Sequence, residues 1–169
     1  MLPPAVINAE VHSMKVEVLT MYQRVSGEMQ IRGRLSPTLN DPEPIFHLRN
    51  VAVEPLLPGA PRLEHIADGI FRKPMVGALV PIDAEQPSPD DLPDKKRRFI
   101  FFQGSTFNVR ASVEFPAAAD PAMHQDLLLK SQFFPVVDAT FSAVGAEGQS
   151  WTRPAAYLNR DLMVALYLG

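Results

Sequence analysis

Two stretches near the start of the chain alternate apolar and polar residues with a period of two: Met14-Lys15-Val16-Glu17-Val18-Leu19-Thr20 and Gly27-Glu28-Met29-Gln30-Ile31-Arg32-Gly33-Arg34-Leu35. That period matches the alternating side-chain directions of a strand, so both predict half-buried strands. Gln23 to Gly27 ends in a Ser-Gly turn signal, which predicts a hairpin with Met29, Ile31 and Leu35 inward and Glu28, Gln30, Arg32 and Arg34 toward water. A turn cluster from Ser36 to Pro44 leads into a third strand, Ile45 to Val53, ended by Pro55, Pro58 and Pro61. Arg62 to Asp68, with Leu63 and Ile66 on one side and Gly69 behind them, has the pattern of a short helix. Ile70 to Ile82 reads as a fourth strand interrupted at Pro74, which suggests an edge or a bulge there.

In the second half, Phe99-Ile100-Phe101-Phe102 opens a buried strand. Phe107, Val109, Ala111, Val113 and Phe115 then alternate with Asn108, Arg110, Ser112 and Glu114, the cleanest amphipathic strand of the chain. Asp120-Pro121 is an N-cap and first-turn pair for a helix over about residues 121–131, with Met123 and Leu127 at i,i+4 and Lys130 near its end. Phe133 to Ala143 and Tyr157 to Leu168 close the chain as strands around a loop from Gly145 to Ser150.

Composition agrees with this β-rich reading. Of 169 residues 17 are proline, and an internal proline costs a helix about 3 kcal/mol, so bundles and coiled coils are excluded. The hydrophobic share of 46% is too high for a disordered chain and sufficient for a core without staples. Cysteine is absent, which removes disulfides, thiol catalysis and thiolate metal sites together. The net charge of −3 gives no global attraction to nucleic acid or anionic lipid. The start of the chain, Met1 to Val6, lacks a cationic n-region, and the longest uncharged stretch, Phe99 to Val109, falls far short of the ~20 residues of a spanning helix. The chain therefore reads as a soluble, cytoplasmic protein with no membrane partner.

The two halves carry matching signals in one order. Pro37-x-x-x-Asp41-Pro42 parallels Pro116-x-x-x-Asp120-Pro121, each after a strand containing Ile31-Arg32-Gly33 or Val109-Arg110-Ala111. Downstream, Ile45-Phe46 matches Phe133-Phe134, Asn50-Val51-Ala52-Val53 matches Asp138-Ala139-Thr140-Phe141, and Phe71-x-Lys73 with Ala78-Leu79 matches Leu158-x-Arg160 with Ala165-Leu166. The offset drifts from 78 to 88 residues. The expected architecture is mainly β: two repeated small β-barrel or half-barrel units, with one short helix in the second. Residues 1–82 form the first unit, 83–98 a proline-rich charged linker and 99–169 the second, packed about a pseudo-twofold axis as two domains or one compact domain. Prolines avoid Ala5 to Ser36 and Asp94 to Phe115, where each unit lays down its opening strands.

The strings Phe134-Pro135-Val136-Val137-Asp138-Ala139-Thr140-Phe141 and Tyr157 to Leu166 resemble the C-terminal half of an uncharacterised bacterial family of small duplicated β-rich proteins, which brings no activity with it. More loosely, Val16-x-Val18, Gly27, Gly33-x-Leu35 and Asn40-Asp41 are similar to the first motif of Sm-like small barrels. No short Arg-Gly second motif, as those RNA binders carry, follows after Asn40-Asp41, so the resemblance does not extend to their RNA contacts.

Chemical signals are sparse. His12, His47, His65 and His124 never sit at metal-ligand spacing, and His65 and His124 are expected to face solvent. Neither a Gly-x-Ser-x-Gly elbow nor a phosphate-binding glycine pattern occurs, so no catalytic, cofactor or metal residue is assigned. Asp138 in its apolar strand is the better candidate for a perturbed carboxylate, although a structural hydrogen bond shared with Asn50 explains both residues more simply. The Lys95-Lys96-Arg97-Arg98 run is the sharpest charge feature. Five acids and four bases in residues 83–98 make that segment almost self-neutral beyond ~8 Å, and the run suits a gatekeeper for the apolar Phe99 strand.

Without a catalytic constellation, the expected role is that of a non-enzymatic protein acting through self-association or contact with a protein partner. The run Leu162 to Leu168 is apolar on both faces, so it must be central in a sheet or covered by a partner. The alternative is a nucleic-acid-binding small barrel that uses Arg32, Arg34, Lys95, Lys96, Arg97 and Arg98. A ligand-binding barrel or enzyme would need a deep pocket with convergent polar groups.

Overall fold

The computed structural model describes residues 10–83, 94–145 and 149–169. Most of the expected linker and part of the Gly145 to Ser150 loop lie outside those residues. The elements in chain order are β1 (Val11–Thr20), β2 (Gln23–Arg32), α1 (Leu35–Leu39), β3 (Ile45–Pro55), β4 (Leu63–Arg72), a 3-10 turn (Lys73–Met75), β5 (Val76–Pro81), β6 (Lys95–Gln103), β7 (Phe107–Pro116), a 3-10 turn (Pro121–Met123), α2 (His124–Leu128), β8 (Phe133–Ala143), β9 (Ser150–Asn159), a 3-10 turn (Arg160–Leu162) and β10 (Ala165–Leu168). All ten strands belong to one antiparallel sheet in the order β10-β6-β7-β8-β9-β5-β1-β2-β3-β4. Among the described residues the sheet is open, so closed barrels are not what forms: β4 and β10 each have a strand on one side only.

Each half runs through two strands, a short helix, two strands, a 3-10 turn and a last strand. In each, the last strand folds back to pair with the first, β5 with β1 and β10 with β6. A helix is thus present in both halves. In the first it occupies the expected turn cluster, where Leu35 and Leu39 stand one turn apart and are both buried. Pro37 is tolerated because it falls in the first turn, whose N–H groups have no intrahelical partner. The second helical segment is shorter than expected and turned by one residue: His124 and Leu128 are buried, whereas Met123 and Leu127 are exposed. The His124 ring stacks on Phe115 at 3.9 Å, which corrects its expected solvent-facing position.

The connection between β1 and β2 is tighter than the Ser-Gly signal suggested. It turns at Met21 and Tyr22, where the Thr20 hydroxyl accepts from the backbone N–H groups of Tyr22 and Gln23. Gly27 instead faces a β-bulge. Pairing of β2 with β3 slips there, between Ser26 and Glu28, and pairing of β7 with β8 slips around Ala111. Asn50 and Asp138 sit in these bulges with φ of 51° each, a left-handed conformation that Asn and Asp adopt more readily than other side-chain residues. A backbone requirement, rather than a shared hydrogen bond or a buried acid, accounts for the two residues. Asp138 is exposed and pairs with Arg97 at 2.9 Å.

The predicted helix at Arg62 to Asp68 is part of strand β4. His65 is left-handed (φ 57°), and Val53 and Val51 of β3 face Leu63 and Ile66 of β4. One residue of β3, Ala52, therefore opposes two of β4, Glu64 and His65. The bulge puts Leu63 and Ile66 at a spacing of three, which imitates a helical face.

Two apolar clusters fill the structure, and each borrows from the other half. The cluster built on β6 to β9 takes in Leu19, Leu56, Ala78 and Val80. The cluster built on β1 to β5 takes in Phe133 and Tyr157.

Candidate association surface

The site follows from comparing strands that occupy the same place in the two halves. Several contacts set the correspondence. Lys73 begins the 3-10 turn before β5 and donates through Nζ to the Thr38 carbonyl near the end of α1, while Arg160 begins the 3-10 turn before β10 and donates through Nη1 to the Leu129 and Lys130 carbonyls after α2. A cation at the C-terminal end of a helix satisfies orphan carbonyls and offsets the helix dipole. The backbone N–H of Lys73 donates to the Pro44 carbonyl and that of Arg160 to the Gln132 carbonyl. The Asp-Pro pairs do not correspond in this way: Asp41-Pro42 follows α1, whereas Asp120-Pro121 precedes α2.

The halves are joined where β5 pairs with β9, Ala78 opposite Leu158 and Leu79 opposite Tyr157. Side chains lock this junction. Asn159, fully buried, donates through Nδ2 to the carbonyls of Lys73 and Val76. Asn40 donates to the Phe133 carbonyl through Nδ2 and accepts from its N–H through Oδ1. The Glu17 carboxylate of β1 accepts from Arg24 Nε at 2.8 Å, Arg153 Nη2 at 2.9 Å and Trp151 Nε1 at 3.2 Å. The Arg24 guanidinium lies 4.7 Å from the centre of the Trp151 ring, which stacks on Phe141. Nothing in the alternating pattern of β1 separates Glu17 from Lys15. The signal lies in tertiary placement, because β1 is an inner strand with both faces covered at its centre.

The other fifth strand and the other fourth strand are the two ends of the sheet. All six residues of β5 are buried, and no residue of β10 is. Tyr157 on β9 is 8% exposed, while Ile70, which holds its place on β4, is 67% exposed. Val164, at 64%, and Tyr167, at 57%, project at the β10 edge, and Phe99 on the adjoining β6 is exposed as well. The apolar terminal run is therefore an edge rather than a central strand. Uncovered edge strands with apolar side chains are templates for pairing with another chain.

The basic residues singled out in the sequence lie apart. Lys95, Lys96, Arg97 and Arg98 belong to β6 rather than to a linker. Lys95 and Arg97 both pair with Glu114 of β7, Arg97 also with Asp138, and Arg98 donates to the Gly169 carbonyl. Arg32 ends β2, a strand well separated from β6 in the sheet order, and Arg34 precedes α1, and both are exposed. An open groove of about 510 Å³ runs along the β3–β4 bulge between Asn50, Val51, Ala52 and Glu64, His65, Ile66, Ala67. Among the described residues no group of three or more His, Asp or Glu is placed to hold a metal, and no helix is long and apolar enough to cross a membrane. Comparison with family models, with curated proteins and with solved structures finds no match for this chain.

Proposed function

We propose that this is a non-enzymatic β-sheet protein that works by self-association, and that its halves are two copies of one small half-barrel unit. The observation that carries the reading is the unequal burial of corresponding strands. β5 and the end of β9 pair with each other and lie within the two apolar clusters, whereas β10 and β4 have no strand on their outer side among the described residues. The unpaired N–H and C=O groups of an edge gain hydrogen bonds on strand addition, and the exposed apolar side chains lose water contact. The shared element order and the matched Lys73 and Arg160 contacts support duplication.

Size-exclusion chromatography with light scattering, run from micromolar to near-millimolar protein, tests the reading. The expected result is a mass that is a multiple of 18.7 kDa and falls on dilution. A monomer mass at every concentration would overturn it.

A further inference from the structure

Resting on that reading, we propose that copies of the chain assemble head to tail, β10 of one chain adding antiparallel to β4 of the next in the register that β5 and β9 use within the chain. The register transfers through pairs seen in both halves. Ala78 faces Leu19 and Ala165 faces Gln103, and Leu79 faces Val18 and Leu166 faces Phe102, so Ala165 and Leu166 hold the places of Ala78 and Leu79. Phe134 faces Leu158 and Phe46 faces Phe71, so Phe71 and Ile70 hold the places of Leu158 and Tyr157. Between chains, Leu166 then lies opposite Ile70 and Ala165 opposite Phe71.

The chemistry at these places fits a second copy. Inside the chain, Asn159 donates to the carbonyls of Lys73 and Val76, and the Val76 N–H closes the 3-10 turn on the Lys73 carbonyl. At the open edges Arg72, an exposed donor, stands in the place of Asn159. The carbonyls of Arg160 and Met163, closed by the same N–H to carbonyl bond, stand in the place of its acceptors. The ionic clamp of Glu17 and Arg153 is replaced by Phe101 and Ile66, an apolar pair where the internal junction is charged. Phe101 already packs on Tyr167, with ring centres 6.0 Å apart. Each chain offers one edge of each kind, so the contact is heterologous and continues beyond a dimer, into a ring where the rotation closes.

The absence of cysteine makes a direct test clean. Ile70→Cys and Leu166→Cys are prepared as separate variants, mixed and oxidised gently. Directly opposed residues of an antiparallel pair have Cβ atoms about 5 Å apart, within reach of a disulfide after small adjustment. The mixture is expected to give a covalent dimer, and neither variant alone is. A mixture of Leu166→Cys with Tyr22→Cys, a position exposed like Ile70, is expected to give none. Separately, Ile70→Lys places a charge on the edge and is expected to return the protein to monomer mass with its circular dichroism unchanged. If wild type assembles but the mixture stays unlinked and Ile70→Lys still assembles, the head-to-tail register is wrong while self-association stands. Dimers from Ile70→Cys alone would show edge-to-like-edge pairing and also overturn the proposal. A strictly monomeric wild type overturns both readings.

Discussion

Replacing Phe133 by alanine is expected to lower the stability of the whole molecule by about 4 kcal/mol, in the range of buried Phe→Ala losses. The residue belongs to β8, yet its ring is fully buried in the cluster built on the first half, and its backbone N–H and carbonyl are both held by Asn40. The substitution removes apolar contacts and leaves a cavity whose walls come from both halves, so they cannot collapse independently. A melting point lower by roughly 10 °C follows at fixed protein concentration for a domain of this size. Because each cluster contains side chains from the other half, unfolding is expected to remain one transition in the variant. Two separated transitions, with only one displaced, would show that the halves fold independently. Tyr22→Ala, at an exposed turn, serves as the comparison and is expected to cost about 0.5 kcal/mol.

The second large effect is expected at Glu17, which is 4% exposed and meets two arginines and the single tryptophan of the chain. Glu17→Ala leaves the Arg24 and Arg153 guanidinium groups facing one another without the carboxylate between them. Removing one partner of a buried charged group costs about 3–5 kcal/mol, and we expect about 3, the lower end, because both arginines keep contact with water. Trp151 fluorescence should shift to longer wavelength as its indole N–H loses its acceptor and Arg24 leaves the ring. Glu17→Gln keeps an acceptor for the indole and is expected to cost about half as much. A loss under about 0.5 kcal/mol for Glu17→Ala, measured by denaturant titration, would mean that the cluster does not hold the halves together.

Strands that follow strict alternation are legible in the amino-acid sequence, because one face of each is buried and the other is not. The stretch from Phe107 begins where the alternation places it, and the third strand and the stretch from Phe133 also begin at the expected residues although each carries a bulge. Elements that depend on an irregular backbone are not legible in this way. At His65 a bulge changes the spacing of Leu63 and Ile66 from the period of a strand to that of a helix, and at Leu35 a five-residue helix hides in a turn-rich composition. The Lys95 to Arg98 run reads as linker because its charges give no alternation, although its ion pairs with Glu114 place it in a strand.

The candidate surface is legible only in part. A terminal run that is apolar on both faces points to a covering partner, and its last four residues form the β10 edge. The β4 edge carries no such signal, since its exposure comes from position at the end of the sheet rather than from a hydrophobic pattern. Proline placement reflects the same geometry. Pro135 lies beyond the last β7 partner of β8, and Pro154 lies on the stretch of β9 that β5 does not reach, so neither occurs where strands pair on both sides.

Hydrogen–deuterium exchange on the unmodified protein, at low and at high concentration, tests most directly whether the two open edges are the association surface. Peptides covering residues 63–72 and 165–168 are expected to gain protection as concentration rises, while the inner strands β1, β7 and β8 exchange equally slowly at both. Exchange at β4 and β10 that is independent of concentration, or protection that rises elsewhere instead, would contradict the account.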